Sequence, residues 1–101
     1  MNFEKAIELL QRLIATPSVS RAEDDAADIV EAALASLGFA THRKCNNVWA
    51  EAHQHNSALP TILLDAHIDT VKPNASWQRN PYCPTIEDGR LYGLGSNDTG
   101  G

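Results

Sequence analysis

An apolar run that ends in His-x-Asp constrains the fold of this chain more than any other feature. Residues 61–71 contain the apolar run Ile62, Leu63 and Leu64 and, after it, His67 and Asp69. A continuous apolar run of this kind predicts a strand that is covered on both faces. Because residues i and i+2 of an extended chain point to the same side, His67 and Asp69 should face one site together. Open α/β sheets place their sites at such carboxyl ends of strands.

Two amphipathic helices are predicted before this strand. Residues 3 to about 15 carry apolar side chains at three- and four-residue spacing, with Asn2 as the predicted N-cap and Pro17 after the helix. Residues 20–23, Ser-Arg-Ala-Glu, predict a capping box at the start of the second helix. Gly38 is predicted to form the left-handed C-terminal cap of that helix.

Two hairpins and a loop complete the predicted fold. Residues 40–45 and 48–52 predict strands joined by a tight turn at Asn46 and Asn47. Residues 85–92 predict a second hairpin with Asp88 and Gly89 at its turn, and residues 93–101 a Gly-rich loop. Helices followed by strands predict an α/β fold in which two N-terminal helices pack on a mixed β-sheet.

Composition excludes several classes of partner. The chain has 101 residues, near the commonest size of one domain, and a net charge of -5. Because no run of Lys or Arg exists, nucleic acid and anionic membranes are not expected partners. The N-terminus lacks the pattern of a signal peptide and no apolar run could span a bilayer, so a cytoplasmic location is predicted. Cys45 and Cys83 are then predicted to be reduced and structural.

The chemistry of a metal site is carried by His67, Asp69 and Asp98. A neutral imidazole is the commonest transition-metal ligand, and a carboxylate at Asp69 would hold the other ring nitrogen of His67. Asp98 lies in the Gly-rich segment, and a carboxylate there could bridge two metal ions. Taken residue by residue, an alternative stays open in which His67 and Asp69 form a structural polar pair and Asp98 is a solvated loop residue.

Other motifs are weaker. The sequence His53-Gln54-His55 is an alternative metal pair, but it falls in a predicted polar loop. The chain has no Gly-x-Ser-x-Gly elbow, and neither cysteine has an evident histidine partner, so nucleophilic catalysis is not predicted. The glycines at 93 and 95 lack the third glycine or the Gly-Lys-Ser/Thr of phosphate-binding loops.

The motifs resemble a known family. With residues 67–71, His-Ile-Asp-Thr-Val, and residues 93–98, Gly-Leu-Gly-Ser-Asn-Asp, the chain resembles the di-zinc aminoacylase and carboxypeptidase family of metallopeptidases. The resemblance runs along the whole chain, from residues 16–20, Thr-Pro-Ser-Val-Ser, onwards. Residues 46–49, 68–73 and 91–98 look most like the acetylornithine deacetylase branch of that family.

The resemblance implies roles for three residues. His67 would be a terminal ligand of one zinc ion, Asp69 the catalytic-site carboxylate that supports it, and Asp98 the bridge between two zinc ions, with cobalt as a substitute metal. It also implies a cis peptide bond between Asp98 and Thr99. Thr99 departs from the acidic residue that commonly follows the bridge in the family.

The resemblance also implies an activity and a larger protein. The expected reaction is hydrolysis of the amide bond of a small N-acyl amino acid. The favoured substrate is N-acetylornithine, an intermediate of arginine biosynthesis. N-succinyl-diaminopimelate and di- or tripeptides are the alternatives. Residues 1–101 would be the N-terminal portion of one catalytic domain in a homodimer, with the general base and remaining ligands beyond Gly101. Neither Glu51 nor Glu87 is expected to replace that base, so this chain alone is expected to be inactive. A non-catalytic binding or structural fragment is the alternative of another class.

Overall fold

A computed structural model describes residues 2–53 and 56–100 and confirms the α/β class, with two helices and two antiparallel hairpins. The elements in chain order are α1 (Phe3–Ile14), α2 (Asp24–Ser36), β1 (Thr41–Lys44), β2 (Asn47–Ala50), β3 (Thr85–Glu87) and β4 (Arg90–Tyr92). Helix α2 packs against α1 and against both strands of the first hairpin. Neither described helix is long and apolar enough to cross a membrane.

Helix α1 begins as predicted. The side-chain oxygen of Asn2 accepts a hydrogen bond from the Lys5 amide at 2.9 Å, which satisfies one of the unpaired donors of the first turn. At the other end of the helix Ile14 is only 3% exposed, whereas Phe3 is 88% exposed. The buried part of α1 is therefore its C-terminal turn.

Helix α2 corrects one prediction and confirms another. The capping box at residues 20–23 is wrong, because the helix begins only at Asp24 and its N-cap, Glu23, makes no side-chain capping bond. A turn closed by Ala22 N and Val19 O at 2.9 Å comes first, and the Glu23 carboxylate accepts from the Arg21 amide instead. This turn moves the helix start beyond the reach of the Ser20 hydroxyl.

The C-terminus of α2 follows the prediction. Gly38 has φ +88°, and its amide donates to Ala35 O at 3.0 Å. The Phe39 amide donates to Leu34 O at 3.2 Å. These two bonds form a Schellman motif, which needs a left-handed residue at the Gly38 position.

The first hairpin forms, but its turn lies one residue earlier than predicted. Lys44 pairs with Asn47, so the loop residues are Cys45 and Asn46, and Cys45 has φ +55°. The side chain of Asn46 is engaged with its surroundings: it accepts from Arg43 at 3.2 Å and donates to Asp24 at 2.7 Å. These bonds fix Asn46 in the loop and leave Asn47 as the first residue of β2.

The structure contradicts the prediction of a covered strand at the apolar run. Residues 61–69 form neither a strand nor any other regular element, and Ile62, Leu63 and Leu64 are 85%, 82% and 92% exposed. A strand requires a neighbour that pairs with its backbone, and within residues 2–53 and 56–100 this segment meets one only at an isolated parallel bridge between Val19 and Thr70. The predicted mixed sheet is accordingly replaced, in those ranges, by two separate antiparallel hairpins.

The second hairpin and the Gly-rich loop agree with the sequence. Asp88 and Gly89 have φ +53° and +73°, as a two-residue turn of this kind requires. From residue 93 to residue 100 the loop has no helix or strand and packs on α1. A Cβ at Gly93 would overlap Ile14 Cγ2, and one at Gly100 would lie 2.7 Å from Leu10 Cδ1. Glycine thus permits the loop to approach the helix closely.

Candidate metal centre

The structure brings His67, Asp69 and Asp98 together. His67 Nε2 lies 3.1 Å from Asp98 Oδ1. On the other side of the ring, His67 Nδ1 lies 3.1 Å from the main-chain oxygen of Asp69 and 3.2 Å from its Oδ1. One imidazole is therefore held between two acidic residues that come from different parts of the chain.

This arrangement favours the charged imidazole. The main-chain oxygen of Asp69, followed by the carboxylate of Asp98, raises the pKa of His67 above its usual value. Both ring nitrogens face acceptors, and only the imidazolium form can donate from both. Loss of the Nε2 proton would leave a lone pair on Nε2 that faces the Asp98 carboxylate. This neutral form of the imidazole is the one that binds a metal ion.

Asp98 is positioned by the glycines around it. Gly95 has φ +81°, and a Cβ there would lie 3.0 Å from Thr70 Cγ2, so the loop touches the segment that carries His67. The Leu94 amide donates to Pro81 O at 2.8 Å. The Asp98–Thr99 peptide bond is cis, as the family resemblance implied. The loop therefore brings the Asp98 carboxylate to the imidazole without any regular secondary structure.

The site is open to solvent. The side chains of His67, Asp69 and Asp98 are 52%, 38% and 84% exposed. A cleft beside them is also lined by Thr70, Val71, Leu94 and Gly95. A ligand could therefore reach the imidazole and both carboxylates without a change of fold.

The donor set fits part of a zinc site. Bonds of about 2.0–2.2 Å at tetrahedral angles place two ligand atoms on one ion roughly 3.3 Å apart. The observed 3.1 Å between His67 Nε2 and Asp98 Oδ1 is close to that separation. Zinc takes three or four protein ligands, and in the described parts of the chain no group of three or more His, Cys, Asp or Glu side chains is arranged to hold a metal. His67 and Asp98 thus suit an incomplete site.

The other candidate residues lie elsewhere. His42 stacks on Trp49 with ring centroids 5.5 Å apart, and His53 stacks on Phe39 at 4.5 Å. Gln54 and His55, the rest of the alternative metal pair, lie outside the described residues. Glu87 forms an ion pair with Arg79 at 2.7 Å, so its carboxylate is already engaged.

Sequence reasoning missed Ser18. It is 4% exposed, and its hydroxyl donates to Ile68 O at 3.1 Å, between His67 and Asp69. Its main-chain oxygen accepts from the Thr70 amide at 2.8 Å. The only available signal was its place in the Thr-Pro-Ser-Val-Ser segment, which does not reveal a contact fifty residues away.

Comparison with known proteins identifies the family. Residues 63–101, which include the whole candidate site, match the model of peptidase family M20/M25/M40. The chain is 34% identical over 113 residues to succinyl-diaminopimelate desuccinylase of Verminephrobacter eiseniae, covering 93% of this chain and 28% of that protein.

The chain belongs to peptidase family M20/M25/M40.

Two further relatives carry the same name. The desuccinylase of Thiobacillus denitrificans is 36% identical over 101 residues, covering 92% of this chain and 24% of that protein. That of Anaplasma marginale is 28% identical over 106 residues, covering 97% of this chain and 27% of that protein. The chain therefore spans about a quarter of the length of the curated relatives it matches.

Proposed function

We propose that this chain supplies two zinc ligands, His67 and Asp98, to a metal-dependent hydrolase that cleaves the amide bond of an N-acyl amino acid. The observation that carries the proposal is the 3.1 Å approach of His67 Nε2 to Asp98 Oδ1 within the segment that matches the M20 family. Bound zinc would lower the pKa of a water molecule and polarise the acyl carbonyl.

The residues of this chain would prepare the site. Asp69, through its main-chain oxygen and carboxylate, holds Nδ1 of His67 and leaves Nε2 for the metal. Asp98 approaches from the Gly-rich loop and would offer its second oxygen to a neighbouring ion. Metal binding at Nε2 requires this nitrogen to be unprotonated, so a protonated His67 would release its proton when the metal binds.

The chain alone is proposed to be inactive. Two ligands are fewer than a zinc site needs, and the general base and remaining ligands are expected beyond Gly101. Glu87 is paired with Arg79 and does not take that role. Homodimerisation likewise belongs to the expected full-length protein.

For the substrate we favour an N-succinyl amino acid. The relatives that match most of this chain are named succinyl-diaminopimelate desuccinylase. N-acetylornithine is the second candidate, supported by the likeness of residues 46–49 and 91–98 to the acetylornithine deacetylase branch. Both substrates contain the same bond, an amide between an acyl group and the amino nitrogen of an amino acid. The proposed chemistry is therefore common to them.

The test is an assay of the expected full-length protein on N-succinyl-diaminopimelate and on N-acetylornithine, with and without a chelator. We expect hydrolysis of the succinyl substrate to be lost with the chelator and in Asp98→Ala and His67→Ala, because each variant removes a metal ligand. His42→Ala is the matched control, since the ring of this exposed histidine stacks on Trp49 and makes no hydrogen bond to His67, Asp69 or Asp98. Chelator-insensitive hydrolysis, or full activity in Asp98→Ala, would refute the metal role. Preference for N-acetylornithine would refute the substrate choice alone.

A further inference from the structure

The connection between α1 and α2 contacts the segment that carries His67 through Ser18 and its neighbour Val19. Among the described residues Ser18 is the buried polar side chain. Its hydroxyl donates to Ile68 O at 3.1 Å, and its main-chain oxygen accepts from Thr70 N at 2.8 Å. Ser18 therefore binds two successive backbone groups on one edge of the extended segment.

Those two backbone groups flank Asp69. In a trans peptide the N–H and the C=O point in opposite directions. The peptide between Asp69 and Thr70 directs its N–H at Ser18 and its C=O at His67 Nδ1, which lies 3.1 Å away. The orientation of this one peptide thus connects Ser18 on one edge with the imidazole on the other.

The segment has little else to hold it. Residues 61–69 form no strand, and in residues 2–53 and 56–100 the first ladder contact after the apolar run is the Val19–Thr70 bridge. An extended segment with few backbone bonds samples several orientations, whereas a metal ligand must be held in one. The contact with Ser18 is thus placed where it would limit the orientation of the His67 ring.

We propose that Ser18 is a positioning residue for the metal centre: its hydroxyl holds Ile68 O and its main-chain oxygen holds the Thr70 amide, and together these two bonds fix the backbone on both sides of Asp69 so that Asp69 O holds His67 Nδ1 and leaves Nε2 for the metal. The inference rests on the proposed function, and it adds to it a residue that touches neither metal nor substrate. Outer contacts that orient a ligating histidine commonly change metal affinity about 10–100-fold when removed.

The first test reads the tautomer of His67 by nitrogen NMR of the metal-free chain, at a pH well above the pKa of His67. All variants carry Asp98→Ala, so that no carboxylate from the Gly-rich loop competes for Nε2. The resonances are assigned by their loss in His67→Asn. In the Asp98→Ala chain we expect the His67 tautomer protonated at Nδ1 to predominate. Addition of Ser18→Ala should lower the fraction of that tautomer.

The matched control is Thr16→Ala. Thr16 lies in the same connection, and its hydroxyl also donates to a main-chain oxygen, that of Arg12 at 2.8 Å, but it makes no hydrogen bond to the His67 segment. Thr16→Ala should keep the Nδ1-protonated form. An equal tautomer ratio in Ser18→Ala and Thr16→Ala would overturn the proposal, whatever their thermal stabilities.

The second test measures cobalt binding with Asp98 restored. Ser18→Ala should weaken cobalt binding about 10–100-fold and change its visible absorption, while Thr16→Ala stays close to the unsubstituted chain. Equal affinities in the two variants would contradict the proposal. Cobalt binding that does not depend on His67 would refute the metal role instead and would leave the tautomer result standing.

A measurement without any Ser18 variant covers the case in which Ser18→Ala does not fold. The Thr70 amide donates to Ser18 O and should exchange its hydrogen slowly with solvent in the unsubstituted chain. The amide of Leu63, a residue that is 82% exposed, should exchange fast. An unprotected Thr70 amide, or a predominant Nε2-protonated His67 in the Asp98→Ala chain, overturns the proposal.

Discussion

The two halves of the molecule are held together in different ways. Residues 2–53 contain both helices and the first hairpin, which pack on one another and are joined by Arg43, bonded to Asp28 at 2.5 Å and to Asn46 at 3.2 Å. Residues 56–100 contain only one short hairpin, yet they carry His67, Asp69 and Asp98. The half with the candidate chemistry is therefore the half with less regular structure, and it depends on contacts with the other half.

Specific contacts join the two halves. Ser18 holds the His67 segment, and Ile14 and Leu10 of α1 lie against the glycines of the loop that carries Asp98. Helix α1 and the connection that follows it thus join the regular half to both parts of the site. Substitutions at this contact should disturb the site, whereas substitutions elsewhere in α1 should lower stability without changing it.

The largest expected effect is that of Gly93→Ala. The added Cβ would overlap Ile14 Cγ2, and Ile14 is too buried to move freely. Overpacking of this kind costs about 1–3 kcal/mol of unfolding free energy, measured by urea denaturation, and it should also shift the NMR signals of His67. In an Ile14→Ala background the same substitution should cost much less. An equal cost in both backgrounds would show that the loop does not pack on Ile14.

A smaller effect is expected of Asn2→Ala. It removes the hydrogen bond from the Lys5 amide and should lower the free energy of unfolding by about 1 kcal/mol. The His67 signals should not change, because the N-terminus of α1 is remote from the glycine loop. Asn2→Ser keeps a capping oxygen and serves as the control. A shift of the His67 signals in Asn2→Ala alone would contradict the separation between the two ends of α1.

The smallest expected effect is the pH dependence of stability that His67 causes. The pKa of His67 is raised in the folded metal-free chain, mainly by the Asp69 main-chain oxygen and next by Asp98. Its contribution to stability is therefore fully present below the unfolded pKa of about 6.5 and is lost as the pH rises through the higher folded value. Urea midpoints across this range should fall slightly with rising pH, and less so in Asp98→Asn. Midpoints that rise through the same window in a His67-dependent manner would contradict the raised pKa.

Local signals were predicted well from the sequence. The Asn2 cap, the Gly38 terminus of α2 and the Asp88-Gly89 turn each depend on residues within a few positions of one another, and all three are confirmed. The motif resemblance also pointed to the residues that the structure brings together at the candidate site. Their roles as metal ligands stay predictions.

One local prediction failed, and predictions that depend on distant partners were wrong or absent. The capping box at residues 20–23 failed because a turn closed by Val19 and Ala22 precedes the helix. The turn at Asn46 and Asn47 shifted because the Asn46 side chain binds Arg43 and Asp24. The apolar run at 62–64 reads as a covered strand, but the described residues provide nothing to cover it. Ser18 escaped notice because its partner is remote in sequence.

The most direct test of the central claim is a zinc titration of the chain, followed by the ring-nitrogen signals of His67. Zinc should bind weakly, move the Nε2 signal of His67, and lose this effect in Asp98→Ala, while His42→Ala behaves like the unsubstituted chain. Zinc binding of equal strength in His67→Ala, Asp98→Ala and the unsubstituted chain would contradict the claim that these two side chains share a metal site.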